Sequence, residues 1–231
     1  MIRGYSAEQI RAAEEPHLKA GEPLMKLAAA GLASVIRDEL AALDEPVTAA
    51  GVLLLVGSGN NGGDALFAGA ELAASGCHVV IAQLGSRVHE AGLQAALAAG
   101  GQVAELGDDP VGAVLETATD AHVVVDGILG TGAHGSPALR GTARDVVAAL
   151  RPLVASPRRR VVAVDLPSGV DVDTGDVPDE TVLPADVTVT FGAHKAGLLH
   201  GPATAYVGRL VLVDIGLSAD LEGVEPLYTA P

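Results

Sequence analysis

The chain has one cysteine, no tryptophan, two phenylalanines and three tyrosines in 231 residues. A lone Cys77 excludes an internal disulfide and a cysteine-rich metal site, fits a reducing compartment, and at the start of a strand reads as a packed thiol. So few aromatic rings leave little from which to build a stacking platform for nucleic-acid bases. Cationic side chains are scarce as well: 14 Lys and Arg against 29 Asp and Glu give a formal charge of −15. That balance argues against nucleic acid or an anionic membrane as a partner. An anionic ligand would have to be held by local donors rather than by the overall field. No apolar run is long enough for a membrane span, and MIRGYSAEQIRAAEE carries charges where a signal peptide would be apolar. The expectation is a cytoplasmic protein with neither a nucleic-acid nor a membrane partner. The seven histidines are scattered without metal spacing, and no GxSxG elbow occurs.

What the chain does have is alanine, valine and leucine in periodic runs. Its length suits a single α/β domain over 1–231 with a substantial core. Ser6, followed by Glu8 and Gln9, predicts a helix cap and a helix to about Glu15; PLMKLAAAGLASVIRDELAAL predicts another over 23–43. Near-continuous apolar strands are expected at 51–56, in CHVVIAQLG, at 122–130, 159–169, 186–193 and 209–216, with a weaker one in QVAEL. Helices are expected up to Ser75 and at 89–100, 110–119 and about 139–151. Apolar strands alternating with helices indicate a parallel sheet covered on both faces. The stretch PLVASPRRR at 152–160 reads as a solvated basic loop.

Three of these strands end in polar, glycine-containing tips. The first runs GVLLLV into GSGNNGGDA (57–65), read as a loop leading into the helical run ALFAGAELAAS. Glycines there let backbone approach a phosphate or sugar, and a helix N-terminus beyond offers unpaired N–H donors. Asn60, Asn61 and Asp64 add fixed oxygens. The pattern is neither the dinucleotide GxGxxG fingerprint nor a P-loop, since no Lys-Ser/Thr pair follows. The second tip is VVVDGILGTGAHG, with Asp126 at the strand end and a glycine-rich loop from Gly130 whose N–H groups suit a phosphate. In that loop His134 itself reads as incidental. The third is VVAVDLPSGVD, with Asp165 and Ser168 around Pro167. In a parallel sheet all three tips share one edge, so Asn61, Asp126, Asp165 and Ser168 converge on one cleft.

An aspartate ending an all-apolar strand is costly unless paired. Asp126 either caps the N–H groups of its own loop or takes a cation or ligand. With Asn61 and Ser168 it offers oxygen donors only, which suits a hard cation, and one carboxylate among neutral oxygens suits a monovalent one. Asp165 either caps the PSG turn or, half-buried at its tip, serves as a general acid/base.

Taken in order, GSGNNGGDA, VVDGILGTG, VDLPSGVDVDTG and ADVTVTFGAHKAGL resemble the NAD(P)H-hydrate epimerase family, the YjeF N-terminal domain, over nearly the whole chain. The resemblance implies a Rossmann-like three-layer αβα sandwich with a mostly parallel central sheet, usually a homodimer. Its activity would be to interconvert the R and S forms of NADH hydrate and NADPH hydrate, damage products with water added at C6 of the nicotinamide ring. A partner dehydratase dependent on ADP or ATP, often fused to the epimerase, repairs one epimer only. The resemblance also implies a K⁺ ion held by Asn61, Asp126 and Ser168. It places the hydrate against Asn60, Asn61, Gly62, Gly63 and Asp64, against Gly130, Thr131, Gly132, Ala133, His134, Gly135 and Ser136, and against Asp165. Ala65 departs from the family, which often has a third glycine there, and the segment before Lys195 lacks a common proline. Lys195 is therefore open between a phosphate contact and a surface charge.

A catalytic Asp165 would protonate the C6 hydroxyl while N1 of the ring expels it; water returning to the other face gives the other epimer. Competing expectations are a non-catalytic nucleotide-binding or scaffold module on the same fold, and a conventional NAD-dependent oxidoreductase. Against the second stand the missing GxGxxG and the want of a His or Tyr proton relay at a strand tip. Nothing in the 231 residues resembles a kinase-like dehydratase, so such a part is expected to be separate or to lie outside this sequence.

Overall fold

The structure, a computed structural model, describes residues 1–132 and 136–231. The chain runs through β1 (Ile2–Tyr5), α1 (Ala7–Lys19), α2 (Leu24–Ala42), β2 (Gly51–Val56), α3 (Asn60–Ala74), β3 (His78–Gln83), α4 (Glu90–Ala98) and β4 (Gln102–Val103). It continues with α5 (Pro110–Thr119), β5 (Val123–Gly127), α6 (Gly141–Val154), β6 (Arg160–Val164), β7 (Val187–Phe191), β8 (His194–Lys195), β9 (Arg209–Val213) and β10 (Tyr228–Ala230). Seven strands form the central sheet in the order β4-β3-β2-β5-β6-β7-β9. Every neighbouring pair in it is parallel.

The period-2 alternation of strand side chains divides the core in two. From β2, Val52, Leu54 and Val56 pack with α2 and α3, including Leu32, Ile36, Leu66 and Leu72. Leu53 and Leu55 face the other way, toward Val114 of α5 and Val146, Val147 and Leu150 of α6. This is the three-layer αβα sandwich. At the foot of the sheet Glu39 of α2 pairs with Arg209 at 2.5 Å and Arg160 at 3.4 Å, tying α2 to β9 and β6. The basic stretch is thus partly structural: Pro152 lies inside α6, and Arg159 donates to the carbonyls of Ala118 and Thr119.

The chain leaves β2 toward β3 and β4, then returns to lay β5, β6, β7 and β9 on the other side. The order therefore reverses between β2 and β5, where open α/β sheets hold their ligands. Both tips come very close there. A Cβ on Gly57 would lie 1.8 Å from the Ile128 carbonyl oxygen, so only glycine fits.

A second, three-stranded sheet, β10-β1-β8, was not foreseen. Strands of two to four residues carry too few side chains to show alternation. Its consequence is positional. Tyr5 is in register with Lys195, and Ser6 directly after β1 caps α1 through a capping box with Gln9. The start of α1 is thereby fixed next to β8, and the Ala7 N–H donates to Asp173 at 2.7 Å. The helix runs beyond the expected Glu15 to Lys19, passing over Pro16.

Candidate active site

Above the switch point lies a cavity of about 680 Å³. One wall is the tip of β2 and the start of α3 (Gly57 to Asn61); another is the tip of β5 (Ile128 to Gly132) with Ser136; Asp165 and Lys195 also face it. Leu84 and Gly85 after β3 and the segment from Ala138 into α6 also line it, and a further wall is a face of α1, contributing Ala7, Ile10, Arg11, Glu14 and Leu18.

Residues 60–64, expected in a loop, form the first turns of α3. Asparagine and glycine are poor helix formers, but packing overrides propensity here. Gly59 in extended conformation occupies the N-cap without a side-chain cap, leaving first-turn N–H groups free for a ligand. Asn60 and Asn61 reach the cavity wall, whereas Gly62, Gly63 and Asp64 are buried behind it. Burial, the largest influence, raises the Asp64 carboxyl well above the usual range. The charge of Asp165 adds to the rise and that of Lys195 opposes it. Of the second expected segment, Gly130, Thr131, Gly132 and Ser136 line the cavity; Ala133, His134 and Gly135 lie outside the described residues.

Beneath the cavity floor sits Asp126, completely buried. Its Oδ2 accepts from the Ser168 N–H at 2.8 Å, and its Oδ1 from the Ser168 hydroxyl at 2.6 Å and the Ile128 N–H at 3.4 Å. The carboxylate does cap backbone, as one sequence reading had it, on the PSG turn as well as on its own loop. Burial raises its pKa, and the contacts from Ser168 and Ile128 only partly oppose that. Asn61 leans over the same spot: its Nδ2 donates to the Val164 carbonyl and to that of Leu129 at 3.2 Å. Its Oδ1 would lie 2.2 Å from a Cβ on Gly130, so a side chain there would displace the Asn61 amide. Asn61, Asp126 and Ser168 thus gather around two further carbonyl oxygens. No Lys, Arg or His side chain pairs with Asp126 among the described residues. A fully buried carboxylate in contact with the Ser168 hydroxyl, with the Asn61 amide and two carbonyls close by, fits a monovalent cation and lacks the several acids a divalent one draws.

Asp165 follows β6 with φ +66°, a left-handed conformation that costs a non-glycine residue of order 1 kcal/mol and marks functional positions. Its carboxylate does not cap the PSG turn. Its Oδ1 accepts from the Thr190 hydroxyl at 3.1 Å, from the Phe191 N–H at 3.2 Å and from the Lys195 ammonium. With all three donors on one oxygen, Oδ2 is left for the cavity. Lys195 is 2% exposed and also donates to the Phe191 carbonyl at 2.9 Å. The surface-charge reading of Lys195 is therefore corrected: its partner is brought in by the fold from 30 residues away.

The α1 wall carries no motif that marks it in the sequence. Arg11 and Glu14 look like solvated helix positions until β1 and β8 lay that helix over the strand tips.

Comparison with known proteins identifies the family. The family model described as YjeF-related protein N-terminus matches residues 21–197. An NAD(P)H-hydrate epimerase of Clavibacter michiganensis subsp. michiganensis is 53% identical over 228 residues, covering 98% of this chain and 95% of its own. A protein of the same name from Microbacterium testaceum is 46% identical, covering 99% and 84%. The bifunctional NAD(P)H-hydrate repair enzyme Nnr of Mycobacterium tuberculosis is 43% identical over 92% of this chain, which spans 41% of that protein. A yeast protein of solved structure shares the fold, with a TM-score of 0.72 at 20% identity over 88% of this chain and 86% of its own. From its strand tips to its relatives, this chain belongs to the YjeF-related N-terminus family.

Proposed function

We infer that the protein is an NAD(P)H-hydrate epimerase, an isomerase that interconverts the R and S forms of NADH hydrate and NADPH hydrate so that a stereospecific dehydratase can restore the cofactor. Relatives bearing that name match nearly the whole chain, and Nnr joins the repair activities in one polypeptide. The observation that carries the mechanism is Asp165, with one oxygen pinned by three donors and the other left for the cavity.

The substrate's C6 carries a hydroxyl beside a ring nitrogen. When N1 pushes its lone pair toward C6 and an acid protonates the hydroxyl, the C6–O bond breaks, water leaves and a planar iminium remains. Addition of water to the opposite face, with loss of one proton to a base, gives the other epimer. Asp165 is the catalytic acid/base in this reading. A positioned group of that kind contributes roughly 10²–10⁴-fold. Free N–H groups at the start of α3 suit the diphosphate, and Asn60 and Asn61 orient it.

Asn61, Asp126 and Ser168 would hold K⁺, with the Leu129 and Val164 carbonyls beside them. Bound there, the ion supplies a fixed positive charge that neutralises Asp126 and helps orient the anionic ligand. On the same reading the protein works as a homodimer in the cytoplasm, beside an ADP- or ATP-dependent dehydratase. Among the described residues no helix is long and apolar enough to cross a membrane.

The test is chromatographic: purified protein is mixed with one isolated epimer of NADH or NADPH hydrate in K⁺ buffer, and the epimer ratio is followed. Equilibration far above the spontaneous rate, lost by at least about 10²-fold in Asp165→Asn while ligand binding persists, is the expected result. Near-normal turnover in Asp165→Asn would remove that residue from the chemistry. No acceleration by the folded wild-type protein would leave a binding module.

A further inference from the structure

Inversion at a planar carbon requires a proton to be delivered on one face and removed on the other. Asp165 serves one face. Resting on the epimerase reading, we propose that Glu14 is the second catalytic residue, handling the proton on the face of the nicotinamide ring opposite Asp165.

Ala7, Ile10, Arg11, Glu14 and Leu18 follow helical spacing, so a single face of α1 looks into the cavity. On that face Glu14 brings a carboxylate to the cavity. It is partly buried and makes neither an ion pair nor a side-chain hydrogen bond among the described residues. A carboxylate placed only for solubility would be expected in open solvent. The pairing of Tyr5 with Lys195 fixes the wall bearing Glu14 to the strand bearing the partner of Asp165. The two carboxylates thus reach one cavity from separate elements, α1 and the tip of β6. Burial raises the Glu14 carboxyl; Lys195 opposes this, Asp165 adds to it, and Arg11 opposes it. Asp165 instead has Lys195 as a direct partner. One carboxyl is thus held by a direct cationic partner and the other stands on the cavity wall without one.

In one direction, protonated Glu14 gives its proton to the C6 hydroxyl, the C6–O bond breaks as the N1–C6 π bond forms, and water leaves on the Glu14 side. Water from the Asp165 side then bonds to C6, the N1–C6 π electrons return to nitrogen, and the Asp165 carboxylate takes the surplus proton. Substrate and product are isomers, and one proton has moved from Glu14 to Asp165. That protonation state is the one required for the reverse direction, and exchange with cavity water resets it.

The experiment uses the full chain and isolated hydrate epimers in water enriched in the heavy oxygen isotope. It follows two readouts, inversion and label entry into C6. In the wild type, label enters with inversion. In Glu14→Gln, inversion falls by about 10²-fold or more. Label exchange with retention persists in the one epimer whose hydroxyl faces Asp165. Glu14→Asp, which keeps the acid on a shorter arm, is expected to invert faster than Glu14→Gln. Inversion by Glu14→Gln within a few-fold of wild type overturns the proposal and leaves the epimerase standing. Equal loss of inversion and of exchange in both epimers also overturns it, since that is the signature of a structural role. A wild type that accelerates neither readout defeats the functional reading itself.

Discussion

Replacing Lys195 by Met removes an ammonium while keeping an apolar side chain of comparable reach. The wild-type ammonium is 2% exposed and donates to Asp165 and to the Phe191 carbonyl. Breaking a buried pair by deleting one partner costs about 3–5 kcal/mol, because the surviving charge is left uncompensated. Asp165 retains two donors, the Thr190 hydroxyl at 3.1 Å and the Phe191 N–H at 3.2 Å, and borders the cavity, so the lower end applies. We expect about 3 kcal/mol, equivalent to a fall in Tm of roughly 6–12 °C for a domain of this size. The assay is urea unfolding at neutral pH of wild type, Lys195→Met, Asp165→Asn and the double variant. If the pair is the source of the loss, the double variant recovers part of it, with a coupling energy of about 1–3 kcal/mol. A loss under about 0.5 kcal/mol in Lys195→Met, or strictly additive effects, would refute the reasoning and return Lys195 to the status of a surface residue.

Two further outcomes follow from the site and its surroundings. Exchanging a bulky organic cation for K⁺ is expected to raise Tm in the wild type, by the equivalent of about 2.7 kcal/mol at a hundredfold excess over Kd. Asp126→Asn abolishes that response; an undiminished K⁺ effect in the variant would place the ion elsewhere. Separately, His17 bridges Asp220 at 2.9 Å and Glu22 at 2.8 Å. Those hydrogen bonds, Asp220 first, raise its pKa. A raised folded pKa means that the contribution is complete below the unfolded value of about 6.5 and is lost as pH rises through the folded one. The stability gap between wild type and His17→Gln should therefore be widest below about pH 6.5 and close in alkaline buffer; a gap independent of pH in thermal melts would assign it to packing.

The sheet was legible because its strands are buried on both faces. GVLLLV and the Val-rich runs at 123–125 and 161–164 are too continuous for any but a covered parallel sheet, and polar tips at their ends place a cleft. Asn61, Asp126 and Ser168 could be found for that reason. The helical state of Asn60 to Asp64 was hidden by local propensity, which α3's packing against β2 overrode. The role of Lys195 is not legible in the sequence because its partner depends on how β7 and β8 return to β6. Glu14 was invisible in principle: its surroundings are set by a pairing of β1 with β8 that no local pattern announces.

That pairing also sets when the catalyst comes into being during synthesis. Helix α1 is made among the first residues, yet the strand that docks its leading end comes only with His194 and Lys195. A chain made only as far as the β2 and β5 tips therefore still lacks the strand that docks α1 and the ammonium that pairs with Asp165. On the proposed reading, turnover thus needs segments far apart in the sequence, the α1 wall and Lys195, to be docked together. Measured turnover consequently reports on the integrity of the whole chain, in a way that spectroscopic helix or sheet content does not.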